Sequence, residues 1–329
     1  MAVLVTGGAG YIGSHMTLEL LAAGEKVVVL DDLSTGRRAA VPAQATFVQG
    51  RVGDASLVSH LIQKHEISEI LHFAASIIVS ESHSDPLKYY LNNTAETARL
   101  FDAAARGGVK RVIFSSTAAV YGLNDREMID EETPQAPISP YGASKMMSER
   151  ILSDAAEAHG LSFAILRYFN VAGADPQGRA GQSSPIATHL IKIAAEAALG
   201  ARPGMKIFGD DYDTRDGTCE RDYVHVSDLA GAHRMALDYL RRGGESDRFN
   251  VGYGRGATVS EVVDTVKKIS GADFLVDLDV RRPGDPDRLV ADAAKLREIV
   301  GWTPKHDDLD AIVAHALAWE RKLQQGRAA

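Results

Sequence analysis

The chain has 329 residues and a formal charge of −8, 36 Lys and Arg against 44 Asp and Glu, with no long basic run. A phosphate-backbone partner such as a nucleic acid is therefore excluded. The lone Cys219 excludes an internal disulfide and fits a reducing, cytoplasmic compartment, and no apolar run approaches the roughly 20 residues a membrane span requires. The first residues run at once into a strand, so no export and no membrane association is expected. The length suffices for a large core in two lobes.

Residues 3–6 are apolar and lead into Gly7-Gly8-Ala9-Gly10-Tyr11-Ile12-Gly13, after which Met16, Leu18, Leu20 and Leu21 supply a helical pattern. Strand, glycine turn and helix in that order build a dinucleotide cradle. Gly7 takes the tight turn, Gly10 lets the main chain approach a pyrophosphate, and Gly13 lets helix and strand pack closely. The helix N-terminus then faces the anion. The spacing is GxxGxxG rather than GxGxxG, and its place between a strand and a helix is what gives it weight. A second strand, Lys26 to Leu30, ends at Asp31, eighteen residues beyond Gly13. An acid there holds ribose hydroxyls and repels a 2′-phosphate, so the expected cofactor is NAD rather than NADP. Arg37 and Arg38 follow soon after and either neutralise such a phosphate or are solvated loop cations, the usual fate of such residues.

Alternation continues with a strand at Thr46–Gln49, a helix at Ala55–Lys64, a strand at Glu69–Phe73, a helix from Pro86 to about Arg106 and a strand at Arg111–Ser115. Such alternation predicts a parallel sheet wound on both faces. The strand ends at Phe73-Ala74-Ala75 and Ser115-Ser116-Thr117 fall at the carboxyl edge, where ligands sit. Asn92 and Asn93 are the polar side chains of the long helix nearest that edge, either facing the ligand or merely solvated. Ser139-Pro140-Tyr141-Gly142-Ala143-Ser144-Lys145 then places a phenol and an ammonium four residues apart at a helix start, on nearly the same face. An adjacent cation favours the phenolate and makes Tyr141 a general base near neutral pH.

A sixth strand, Ser162–Leu166, follows, and beyond Arg167-Tyr168-Phe169-Asn170 the pattern loosens. A helix to Leu199, a short strand at Lys206–Gly209, a helix capped by Ser227, a Thr258/Glu261 capping box and an amphipathic helix at Asp308–Lys322 complete the chain. The predicted fold is α/β, a doubly wound parallel sheet of Rossmann type with a smaller C-terminal α/β substrate lobe. Residues 1–172 form the cofactor domain, with a returning segment near 226–256, and residues 173–329 are mainly the substrate lobe. No metal site is expected.

Taken together, TGGAGYIG at 6–13, Asp31, FSSTAAVYG at 114–122, SPYGASK at 139–145, LRYFN at 166–170, RDYVHVSDLA at 221–230 and RRPGD at 281–285 resemble the extended short-chain dehydrogenase/reductases. Within that family the closest likeness is to the UDP-hexose 4-epimerases. The resemblance implies a retained NAD, a UDP-sugar substrate, and a homodimer built from the helices near 87–106 and 141–158. It makes Tyr141 the base, Lys145 its neighbour and ribose ligand, and Thr117 the hydroxyl that orients the sugar. To the cofactor it assigns Gly7, Gly10, Tyr11, Ile12, Gly13, Asp31, Val52, Phe73, Ala74, Ala75, Asn92, Ser115 and Phe169. To the substrate it assigns Asn170, His189, Leu190, Lys206, Phe208, Arg221, Tyr223, Arg282, Asp285 and Leu289. Two arginines suit a diphosphate, since each guanidinium forms paired charge-assisted bonds. The chain departs from the family at Arg51, where an acid usually meets the adenine, with Asp54 close by, and at Ile77, where some relatives carry Lys. Ala118 and Ala119 replace the Asp-Glu of sugar dehydratases and argue against elimination. A UDP-uronate or UDP-pentose 4-epimerase and a non-catalytic dinucleotide sensor are the other readings.

Overall fold

Strand β1 (Ala2–Thr6) is buried along its whole length, as expected of a parallel strand covered on both faces. The computed structural model describes residues 1–124, 126–184, 188–282 and 284–328. After β1 come α1 (Tyr11–Ala22), β2 (Val27–Asp31), β3 (Thr46–Gln49), α2 (Ala55–His65) and β4 (Ile67–His72). The next stretch holds α3 (Val79–Ser84), α4 (Pro86–Tyr89), a π-helical stretch (Tyr90–Ala95), α5 (Glu96–Arg106), β5 (Arg111–Thr117), α6 (Pro140–His159) and β6 (Ser162–Tyr168). Then follow β7 (Asn170–Ala172), α7 (Leu190–Ala198), β8 (Gly204–Phe208), β9 (Glu220–Arg221), β10 (Tyr223–His225), α8 (Val226–Arg241) and β11 (Asp247–Val251). Last are β12 (Ala257–Thr258), α9 (Val259–Ser270), β13 (Leu275–Asp279), β14 (Arg288–Leu289) and α10 (Leu309–Ala328).

Seven parallel strands form the main sheet in the order β11-β6-β5-β4-β1-β2-β3. Successive residues of β1 point to opposite faces: Val3 and Val5 join the core with Met16 of α1 and Leu229 and Leu237 of α8. Ala2 and Leu4 join the other core, with Val58 and Leu61 of α2, Leu100 and Phe101 of α5 and Leu152 of α6. The carboxyl ends of β1, β2, β4, β5 and β6 thus open along one edge. The second lobe is built from short pairings, β8 with β13, β7 with β10, and β9 between β12 and β14, against α7, α9 and α10.

Two local expectations are corrected. The helix from Pro86 to Arg106 is interrupted at Tyr90–Ala95, where the wider π turn swings Asn93 inward, a bulge type frequent at functional sites. The cap of α8 is His225 rather than Ser227, because β10 runs up to His225 and its imidazole accepts the Ser227 N–H at 3.1 Å. The Thr258/Glu261 capping box is present in α9.

Candidate active site

Gly7 sits at φ +71°, and a Cβ there would lie 2.6 Å from the Ala74 nitrogen. One at Gly13 would lie 2.2 Å from the Gly7 carbonyl oxygen. Both contacts are shorter than any side chain permits, so the loop closes only with glycine. Gly10 caps α1 without a side-chain bond, which leaves the first-turn amides of Tyr11, Ile12 and Gly13 open to an anion. At the end of β2, Asp31 is buried, with Oδ2 accepting the Ala9 N–H at 2.9 Å and Oδ1 the Leu33 N–H at 2.8 Å. Burial holds its carboxyl above the usual range, against those bonds. Arg38 stacks on the Phe47 ring, 4.6 Å from its centroid. A bare loop, an uncapped helix start and an acid at the second strand end fit NAD.

The rest of the cofactor set lines the same edge. Phe73 continues β4, donates its N–H to Thr6 O at 3.0 Å and packs against His233; Ala74 closes over Gly7, and Ala75 follows. Ser115 donates to the Tyr168 hydroxyl at 2.8 Å, and Val52 is buried. Arg51 pairs with Glu96 at 3.2 Å, and Asp54 caps α2 by accepting the Leu57 N–H at 3.0 Å. Ile77 is exposed.

Pro140 at the first turn and Ser139, which accepts the Gly142 N–H at 3.1 Å, start α6. Tyr141 and Lys145 are both buried on its inner face, and Thr117 acts on the Tyr141 phenol in the lowering direction. Burial pushes the Tyr141 phenol well above its usual range, Tyr168 and Tyr89 adding to the effect. Burial likewise pulls Lys145 down to about 7, opposed by the charge of Glu149. The expected lowering of the tyrosine by its lysine is thus not produced by the protein's own groups. The physical reason is that the Lys145 ammonium rests 4.3 Å from the Phe114 ring centroid and both groups are dry, so desolvation exceeds their mutual attraction.

Asn93 is buried, not solvated: it accepts the Ser76 N–H at 2.7 Å and donates to Ser76 O at 2.9 Å and to Ser144 Oγ at 3.1 Å. Asn92 donates to Ser76 Oγ at 3.1 Å. These bonds tie the loop after β4 to the catalytic helix. Sequence reading missed Ser76 and Ser144 in this role, and Glu149 as the partner of Ser116 and Arg167. The available signal was the spacing of Tyr141, Ser144, Lys145, Ser148 and Glu149, a polar stripe on what proves to be the buried face of α6.

On the substrate side, Arg221 is buried in β9 and its Nη2 donates to Asp285 Oδ1 at 2.5 Å. Arg282 lies 3.9 Å over the Phe208 ring centroid and makes no ion pair among the described residues; Pro283 lies outside them. Leu289 of β14 is in register with Arg221 of β9, and packs on the cluster of Ala118, Tyr121, Phe169 and Ala291. Asn170 of β7 pairs with Tyr223 of β10. His189 meets Gln182 at 3.1 Å and lies near the Tyr11 ring, just before Leu190 opens α7, while the Tyr11 hydroxyl donates to Gly173 O at 2.6 Å. Lys206 stands apart, exposed and paired with Asp279 at 2.8 Å.

A doubly wound sheet with an NAD cradle and a buried Tyr-x-x-x-Lys at its carboxyl edge defines a dinucleotide-dependent enzyme acting on an alcohol or ketone. The NAD dependent epimerase/dehydratase family matches residues 3–252. A UDP-glucose 4-epimerase of Azospirillum brasilense is 57% identical over 323 residues, which cover 98% of this chain and 93% of the relative. The crystal structure of the Brucella ovis UDP-glucose 4-epimerase in complex with NAD superposes with a TM-score of 0.94 at 43% identity, covering 96% of this chain and 97% of that one. The UDP-Glc/GlcNAc 4-epimerase of Campylobacter jejuni matches with a TM-score of 0.86 at 48% identity, covering 98% and 99%. The chain belongs to the NAD dependent epimerase/dehydratase family, and its cofactor is NAD.

Proposed function

We propose that the protein interconverts UDP-glucose and UDP-galactose, inverting C4 through a transient 4-keto sugar with NAD retained over the cycle. One observation carries this reading: the buried Tyr141, whose phenol Thr117 influences, has the buried Lys145 one turn along, and only Ala118 and Ala119 follow Thr117. The site thus offers one proton-transfer centre and no second acid–base pair for elimination.

NAD, when bound through Gly7, Gly10, Gly13 and Asp31, supplies a hydride acceptor and a positively charged ring that favours the phenolate. Tyr141 takes the proton of the sugar 4-hydroxyl and later returns it to the same oxygen. Thr117 orients that oxygen, and Lys145 as ammonium steadies the phenolate. Arg221, braced by Asp285, and Arg282, braced by Phe208, hold the diphosphate through both half-reactions. The sugar can then turn about its link to UDP and offer its other face without leaving.

The reading extends to the 2-acetamido sugars. Leu289, smaller than a tyrosine, borders the cluster around Phe169, and the 48% identical Campylobacter jejuni protein is a UDP-Glc/GlcNAc 4-epimerase. A cytoplasmic homodimer is also part of the proposal. It is supported by the lone cysteine and by the exposed Leu87, Leu91 and Met147 on the surface of the α4 to α6 region.

Coupling the purified protein and UDP-galactose to a UDP-glucose dehydrogenase tests the activity. NADH should accumulate in proportion to added protein. No NADH from UDP-galactose beyond that of a control without the protein would overturn the epimerase reading in favour of a uronate or pentose substrate or a sensor.

A further inference from the structure

Glu149 lies one turn beyond Lys145 on the buried face of α6 and is 1% exposed. Its carboxylate is fully engaged. Oε1 accepts from Ser116 Oγ and, at 3.0 Å, from Arg167 Nε, and Oε2 accepts from Arg167 Nη2 at 2.6 Å and Gln135 Nε2 at 2.8 Å. Arg167 also donates to the Tyr121 hydroxyl at 3.0 Å, which donates in turn to Asn250 Oδ1 at 2.6 Å. Ser116 immediately precedes Thr117, and Arg167 immediately precedes Tyr168 and Phe169. A side chain that only filled space here would be apolar, because apolar residues of similar volume avoid the desolvation a buried ion pair carries.

We infer that Glu149 is a positioning residue for the reaction: it fixes the Ser116–Thr117 end of β5 against Tyr141 and places a carboxylate one helical turn from Lys145. The inference rests on the roles proposed above for Tyr141, Lys145 and Thr117. Lys145 has no ion-pair partner among the described residues, and its ammonium sits on the Phe114 ring. The titratable groups around it are His72 from β4, held neutral by burial, Tyr141 on its own helix with Tyr89 beside it, Tyr168 of β6, and Glu149, with Arg167 behind the carboxylate. Of these, Glu149 is the one whose charge raises Lys145 against the burial that lowers it.

Two variants test this. Glu149→Gln keeps a group able to bond Ser116 but removes the charge. Glu149→Gln combined with Arg167→Met removes both charges together, so it folds even where the single change strands the guanidinium. Each is read by steady-state kinetics and by ¹³C NMR titration of lysine-labelled protein, with Lys145→Met assigning the resonance. The expected results are a kcat lower by about 10-fold or more with KM for UDP-galactose within about 2-fold, and a Lys145 titration lower by about 1 unit. A folded double variant with unchanged kcat and an unchanged Lys145 titration overturns the inference, since a merely structural Glu149 would move thermal stability alone. If the wild type turns over no UDP-sugar, the functional reading fails, and the titration still decides whether Glu149 sets the charge of Lys145.

Discussion

Mild acid should destabilise this protein steeply, because four of its histidines are buried as neutral rings. Burial pulls His15 and His233 down to about 4, His72 to about 3 and His225 to about 2, with His306 and His315 adding to the effect at His225. In the unfolded chain each titrates near 6.5. The unfolded state therefore binds protons that the native state refuses. Stability is fully present above about 6.5 and is lost as the pH falls toward the native values. Between pH 7 and 5.5 each ring forfeits about 1.2 kcal/mol, so the four together remove about 5 kcal/mol, comparable with the whole stability of many domains. Urea unfolding followed by circular dichroism at both pH values, with saturating NAD, measures the difference. His233 is a clean probe. Its ring meets Leu229 O through one nitrogen at 2.9 Å, leaves the other without a hydrogen-bond partner among the described residues, and packs on Phe73. His233→Leu should reduce the pH dependence by about a quarter. A wild type whose stability changes by less than about 1 kcal/mol over this interval would refute the argument.

Tyr141→Phe should lower kcat by at least about 10²- to 10⁴-fold while UDP binding by calorimetry stays near wild type, and a near-normal kcat in the folded variant would remove Tyr141 as the base. The protein as purified should carry bound nucleotide, released by acid and identified by its absorbance; activity that vanishes on simple desalting and returns with NAD would argue against retention. Leu289→Tyr should cut kcat/KM for UDP-N-acetylglucosamine by about 5- to 150-fold, the effect of overfilling a packed wall, while sparing UDP-galactose. Equal losses for both substrates would show that Leu289 does not size the pocket.

The parallel sheet was legible because strands such as Val27–Asp31 and Arg111–Thr117 are buried on both faces and carry short apolar runs that give way to polar residues at the ligand edge. The glycine loop was legible because a backbone clash leaves no other residue possible. The two-residue strands β9, β12 and β14 were not, since pairings such as Ala257 with Arg221 arise from long-range contact rather than from local pattern. Asn93 was ambiguous for a similar reason: whether it faces water or Ser144 depends on one π turn that shifts the helix by a residue. The tyrosine's surroundings were only partly legible, because the sequence shows that a lysine is near but not that both groups are buried.

The position of β11 bears on how the chain is made. One of the sheet's two edge strands is Asp247–Val251, laid beside β6, and α8 covers α1 from the same late segment. A ribosome-bound chain that has released β1 through β6 still lacks the helix that shields Met16 and Leu20 and the strand that closes the edge of β6. It would present both an apolar helix face and an open sheet edge, the two features that invite misassociation. Maturation of the nucleotide unit therefore waits until Val251 has emerged. Interruption of synthesis between Ala172 and Val251 should yield an aggregation-prone fragment rather than a free-standing cofactor domain.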